Sequence, residues 1–205
     1  VKAIRDICDK YDILLAFDEM QAGFGRTGKK FGYMHYGVRA DLICCGKGMG
    51  GGLPISGVIG KGEVMDLPEI GNMSSTHSGN PLLCKVGLAV LDELIDKNMI
   101  KSAEIKGSLL HSELRKLQIK FADHIKLING KGLIAAIIFE DDYKVEPKKF
   151  LVSKIAEKCF QKGLLVVHTG RESIKIGPPL TISEEAIIEG IQVIQESIME
   201  VLNLE

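Results

Sequence analysis

No apolar run in this chain is long enough to span a membrane, and no stretch reads as a signal peptide, so a cytoplasmic protein is expected. A dominant charge is missing as well. The 205 residues carry 26 basic and 27 acidic side chains, a net charge of −1, scattered along the sequence. Without a field of one sign, nucleic acid and anionic membrane are excluded as expected partners. The five cysteines (Cys8, Cys44, Cys45, Cys84, Cys159) form no CxxC pair and no Cys/His metal spacing. They read as buried thiols of a reducing compartment. Cys44 and Cys45 are adjacent and should point to opposite faces of a strand. His35, His111, His124 and His168 are too far apart in sequence to suggest a metal site. No repeat or low-complexity segment interrupts the chain. Neither a methionine nor a capping residue precedes Val1, so the sequence is expected to open inside an element, as a fragment would.

What is present is ordinary for a globular protein, with 45% hydrophobic and 26% charged residues and length enough for one large domain or two small ones. Val1, Ile4, Cys8 and Tyr11 fall on one helical stripe, with Ile7 beside it. ILLAF (residues 13–17) is a continuous apolar run suited to a strand buried on both faces. It ends at Asp18-Glu19 and a glycine-rich loop. A second run, DLICC (41–45), enters GKGMGGGLP, and SGVIG (56–60) offers a third strand. Ser78-Gly79-Asn80-Pro81 marks the start of a helix running to about residue 96. This alternation predicts an α/β layer with a mostly parallel sheet over residues 1–100. The texture then changes. A helix over about 101–118, a strand GLIAAIIF (132–139) and a charged loop EDDYKVEPKK lead to a helix over 149–162. Strands at LLVV (164–167) and SIKI (173–176) follow, then a helix from Ser183 to about Val201 with Glu184 and Glu185 in its first turn. Residues 101–205 read as a separate small α+β domain.

Two glycine clusters match G-x-G-x-x-G: Gly23, Gly25, Gly28 and Gly46, Gly48, Gly51. A dinucleotide-binding turn must open directly into a helix that holds the pyrophosphate. Further glycines interrupt the first cluster's continuation, and Gly52 and Pro54 forbid a regular helix after the second. Both fail that test. A different pair fits better. Asp18 closes a strand at its carboxyl end, where α/β proteins bind ligands. Lys47 closes the next, hemmed by Gly46 and Gly48, which would let a bulky partner approach its amine. In a dry site such an amine loses basicity and gains nucleophilic, Schiff-base chemistry. On spacing alone, a surface lysine in a flexible loop explains the pattern better.

The segments FDEMQAGFGRTGKKF, DLICCGKGMGGGLPISGVIG, STHSGNPLLC and IGPPLTIS, in this order, resemble successive signatures of class III aminotransferases, relatives of ornithine, acetylornithine and 4-aminobutyrate aminotransferases. The likeness runs through nearly the whole chain. It implies the back half of the large domain of a pyridoxal-phosphate-dependent transferase, followed by the small C-terminal domain. It also implies transamination between a small-molecule amino donor and a keto acid or aldehyde, in a homodimer. By the same resemblance Lys47 is the Schiff-base lysine and acid–base catalyst, and Asp18 pairs with the pyridine nitrogen of pyridoxal 5'-phosphate. Gln21 hydrogen-bonds its phenolic oxygen, and Thr76 reaches the phosphate in the neighbouring subunit, with Ser74 or Ser75 as alternatives. Glu19 should point away from Asp18 and His77 only line the pocket. Arg26 and Arg39 read as structural ion-pair residues.

Two departures from the family matter. Members carry a comparable length of chain ahead of the residue matching Val1, with a phosphate turn, a ring-stacking aromatic and a substrate-side glutamate. The fragment alone is therefore expected to be inactive. Many members also place arginine where Lys175 stands, to grip a carboxylate. Lysine lacks the bidentate fork, which implies a substrate other than a plain α-amino acid, unless Lys175 is simply exposed and Arg171 supplies the grip. Decarboxylation or amino migration on the same scaffold, and a non-catalytic truncated subunit, are the rival readings.

Overall fold

The structure, a computed structural model, describes residues 1–139, 151–169 and 172–203. The chain divides into two compact units, Val1–Lys101 and Ser102–Glu205. The charged loop expected at 140–149, and Arg171, lie outside the described residues. Among the described residues no helix is long and apolar enough to cross a membrane.

The first unit contains α1 (Lys2–Lys10), β1 (Ala16–Asp18), β2 (Leu42–Cys45), β3 (Gly57–Gly60), the short α2 (Gly62–Met65) and α3 (Pro81–Asp96). The strands form one sheet in the order β1-β2-β3. β1 and β2 are parallel, with Ala16 opposite Leu42 and Asp18 opposite Cys44; β3 returns antiparallel, Gly60 opposite Leu42. The parallel character of this sheet thus rests on one pair of strands. The apolar run at 13–17 is not a fully buried strand. Only its last residues join β1, which pairs with β2 alone among the described residues, and Ile13 and Leu14 ahead of it are 51% and 52% exposed. Of the stripe on α1, Cys8 is buried while Val1, Ile4, Ile7 and Tyr11 are exposed. β2 does alternate: Cys45 is buried and Cys44 half-buried. α3 starts as its sequence requires. Pro81 occupies the first turn, and the Asn80 side chain accepts from the amides of Leu82 (3.0 Å) and Leu83 (3.3 Å), which have no partner inside the helix.

Asp41 locks the amino end of β2. Its carboxylate is 4% exposed and accepts from Arg5 Nη1 (2.6 Å), Lys61 Nζ (2.6 Å) and the amide of Leu15 (2.8 Å). Contacts with Lys61, then with the Leu15 amide and Arg5, hold this carboxyl well below the usual carboxylate range. One side chain therefore ties α1, the approach to β1 and the exit of β3 to the start of β2. The ion pair at this end of the sheet uses Arg5, while Arg39 contributes its backbone carbonyl (3.4 Å from Arg5 Nη1).

α4 (Met99–Lys120) carries the chain into the second unit, followed by β4 (Ile125–Lys131), β5 (Ile134–Phe139), α5 (Leu151–Gln161), β6 (Val167–Thr169), β7 (Ser173–Ile176) and α6 (Glu184–Leu202). Its sheet is antiparallel throughout, in the order β4-β5-β7-β6. The core is built by periodicity: Leu110, Leu114 and Leu117 on α4, Val152, Ile155 and Cys159 on α5, and Ile187, Ile191, Ile194 and Ile198 on α6. Ala135, Ile137 and Phe139 supply the inward face of β5. Two elements differ from the sequence expectation. β4 has no predicted counterpart, because a register irregularity between Ile125 and Leu127 breaks its alternation. β6 begins at Val167 rather than at Leu164. The helix-ending turn of α5 continues through Leu164, whose amide donates to Cys159 O (2.8 Å) with Gly163 at φ +86°. Ser183 caps α6 as expected, accepting from Ala186 N at 3.1 Å.

Candidate active site

The carboxyl ends of β1 and β2 lie side by side, because parallel pairing starts and ends both strands together. Asp18 is the last residue of β1, and its Oδ1 accepts from the amide of Met20 at 3.0 Å, which turns the chain as it leaves the sheet. The ladder continues one step further, with Glu19 N donating to Cys44 O (2.9 Å). On the neighbouring strand Cys45 and Gly46 lead to Lys47, the first residue of a 3-10 turn spanning Lys47–Gly50. Lys47 takes φ +47°, a left-handed conformation costing a non-glycine residue on the order of 1 kcal/mol or more. It persists because its neighbours over-determine it. A Cβ on Gly46 would stand 2.5 Å from Met20 Sδ, and one on Gly50 would stand 2.7 Å from Ile55 Cγ2. These glycines therefore admit close approach by the protein's own chain. At Gly48 the nearest atom is Phe24 Cβ at 3.5 Å, an ordinary contact.

Asp18, Gln21 and Lys47 are carried by these two adjoining segments, and all three are exposed among the described residues. The dry setting expected around Lys47 is thus not built by this chain alone. Thr76 stands elsewhere in the unit, in an exposed turn where the Ser75 amide donates to Ser78 Oγ (3.0 Å) and the two hydroxyls of Ser75 and Ser78 are 2.9 Å apart. Ser74 Oγ donates to Gly71 O (3.0 Å). The hydroxyls of Ser74 and Ser75 are thus engaged in forming the turn that displays Thr76, and His77 is exposed beside it. Lys175 belongs to the second unit, half-buried on β7 with Ala136 and Val167 as its ladder neighbours. No group of three His, Cys, Asp or Glu suited to a metal occurs among the described residues.

Glu19 is the residue whose part the sequence concealed. It is 2% exposed, and its carboxylate accepts from the amides of Gly32 (Oε2, 2.7 Å) and Tyr33 (Oε1, 2.7 Å). Those amides open the 3-10 turn Gly32–Tyr36, so Glu19 acts as its cap from a distant position. An aromatic series continues from there. Tyr33 stacks on Phe17 of β1 with centroids 5.0 Å apart, Phe31 on Tyr33 at 6.2 Å, and Phe24 meets Phe31 edge-on at 5.7 Å.

Asp18 and Lys47 thus leave the sheet at the carboxyl ends of adjacent parallel strands, the end at which α/β folds commonly bind ligands. The family model of "Aminotransferase class-III" matches residues 1–198. The chain belongs to the class-III aminotransferase family. It is 38% identical over 203 residues to acetylornithine aminotransferase of Caldanaerobacter subterraneus, covering 98% of this chain and 49% of that protein. It is 37% identical to leucine/methionine racemase of Thermococcus litoralis, covering 98% of this chain and 45% of the relative. The solved acetylornithine aminotransferase of Elizabethkingia anophelis superposes with a TM-score of 0.88 at 34% identity, over 97% of this chain and 49% of that one. The chain spans about half the length of the curated relatives it matches.

Proposed function

We propose that the complete protein is a pyridoxal-phosphate-dependent aminotransferase in which Lys47 holds the cofactor and Asp18 serves its ring nitrogen. The observation that carries this reading is the departure of Asp18 and Lys47 from the same end of the parallel pair β1–β2, in a chain of this family. A carboxylate for the ring nitrogen and an amine for the carbonyl are the partners this cofactor takes from its protein. When bound, pyridoxal phosphate supplies an electron sink for the bond broken at the substrate. Asp18 would keep a proton on the ring nitrogen by charge pairing. Gln21 would donate to the phenolic oxygen. The Lys47 amine would anchor the cofactor and carry the proton that moves between the substrate Cα and the cofactor C4′. Thr76, displayed on its turn, would donate to the phosphate held by a second copy, which makes the assembly a homodimer.

The substrates we infer are a small amino donor and a keto acid or aldehyde, with Lys175 selecting among donors. Relatives named acetylornithine and ornithine aminotransferases support that class. The racemase relative favours a second reading, other pyridoxal-phosphate chemistry on the same residues. Product analysis separates the two: a keto product from the donor, or the donor's mirror image. Five cysteines that all stand as free thiols support a cytoplasmic setting. Residues 1–205 alone, half the length of the relatives, should transfer no amino group. Borohydride reduction of the loaded complete protein, followed by peptide mapping, should mark Lys47. A label on another lysine would refute the assignment.

A further inference from the structure

Asp18 ends β1 and Lys47 lies two residues beyond β2, so an element outside the paired strands must hold the two departing segments together. Glu19 supplies that element. Its backbone amide continues the ladder onto Cys44 O (2.9 Å), and its backbone carbonyl accepts from Gly23 N (3.0 Å). Its buried carboxylate receives both the Gly32 and the Tyr33 amides. The glycines around it leave no slack. A Cβ on Gly23 would stand 2.8 Å from Glu19 O, and one on Gly32 would stand 2.8 Å from Ala22 Cβ and 3.3 Å from Glu19 Oε2. The loop closed in this way carries Gln21, and it places Met20 Sδ 2.5 Å and Phe24 Cβ 3.5 Å from where a Cβ would stand on Gly46 and Gly48, the two residues flanking Lys47. Tyr33, held by its amide, stacks on Phe17 immediately before Asp18.

We propose that Glu19 is a positioning residue, whose carboxylate clamps the Gly32–Tyr33 backbone and so fixes the Asp18–Gln21 segment against the Lys47 turn. The inference rests on the cofactor reading above and extends it to a buried side chain engaged with the protein's own backbone. Two charge-assisted hydrogen bonds in a buried setting are stiff as well as strong. Losing one lets the loop relax, and Met20 and Phe24 then cease to hold the turn beneath Lys47. A carboxylate that only stabilised the fold would change melting and leave the geometry of bound cofactor alone.

The test uses the complete protein loaded with pyridoxal phosphate. Glu19→Gln puts an amide NH2 against one of the two backbone N–H groups. It should lower the visible circular dichroism of the bound cofactor and speed its release about tenfold. Gly32→Ala leaves the carboxylate in place but displaces the amide it accepts from, and should produce the same two changes. It also serves as the test variant if Glu19→Gln does not fold. Asp41→Asn is the control: it removes another buried carboxylate, at the amino end of β2, and should lower the melting temperature while leaving both cofactor signals unchanged. Wild-type dichroism and release in Glu19→Gln and Gly32→Ala would overturn the proposal. So would equal changes in Asp41→Asn, which would mark general loosening. A wild-type protein showing no visible cofactor band would refute the cofactor reading itself, and this inference with it, before any variant is compared.

Discussion

Asp18 stands opposite Cys44 across the parallel β1–β2 ladder, and Lys47 opens the turn that follows β2, after Cys45 and Gly46. This register brings a carboxylate and an amine from distant sequence positions to one end of one sheet. If Asp18 serves the ring nitrogen, Asp18→Asn keeps the shape but removes the charge. The variant should still bind pyridoxal phosphate on Lys47, yet its amino-transfer half-reaction should slow by roughly 10²–10³-fold. Single-turnover absorbance kinetics measure this directly, and near-normal turnover would remove Asp18 from the role.

Asp41 predicts an acid limb of stability. Its folded-state pKa lies below the ordinary value of 3.8, held there by Lys61, the Leu15 amide and Arg5. A depressed carboxylate contributes stability that is fully present above its unfolded pKa and is lost as pH falls through the folded value. Unfolding followed from pH 7 downward should therefore show this contribution intact to about pH 5 and declining below about pH 4. Asp41→Asn should cost about 1–3 kcal/mol at neutral pH and flatten that limb. An acid limb as steep in the variant as in wild type would show that other carboxylates produce it.

Two helical glycines of the second unit should respond to alanine in opposite directions. Alanine gains about 1 kcal/mol over glycine in a helix interior. At Gly190 on α6 the added Cβ would meet Leu164 Cδ1 at 3.5 Å, an ordinary contact, so Gly190→Ala should stabilise by about 0.5–1 kcal/mol. At Gly107 on α4 it would fall 2.4 Å from Gly132 Cα, backbone that cannot step aside. Overpacking of about 1–3 kcal/mol or more should outweigh the propensity gain and make Gly107→Ala destabilising. Urea unfolding of both variants checks the pair of signs.

Lys175 tests substrate choice. It is half-buried on β7, immediately before Ile176 and Gly177-Pro178-Pro179, so its backbone direction is set. Lys175→Arg would replace a hydrated point charge with a planar fork suited to a carboxylate. The ratio of kcat/KM for an amino-acid donor to that for a simple amine should rise about tenfold. An unchanged ratio would show that Lys175 does not select the donor.

Much of this architecture was legible in the sequence because it is local. Helix faces repeat at positions three and four apart, so α4, α5 and α6 could be placed from the sequence, and their buried leucines and isoleucines follow that period. The caps at Asn80 and Ser183 act on amides two or three residues away. The glycines around Lys47 and the Asp18-Glu19 pair were visible too, as was their order. What the sequence alone determined was therefore most of the elements and the order in which the candidate residues follow them.

The tertiary structure decided the partners. Glu19 and Asp18 are neighbours in sequence, yet one turns outward while the other is buried against amides 13 and 14 positions away. Asp41 meets Arg5 across 36 positions. Nothing local marks such pairs, because chain closure brings them together only after the strands have aligned. The same reason explains the misplaced burial at residues 13–14, where an apolar run signals a wish for cover and the fold determines whether cover arrives. It also explains β4, whose bulge hides its period. Composition and period identify elements through short-range physics, whereas the buried carboxylates that hold this sheet and its loops depend on contacts that exist only once the chain has folded.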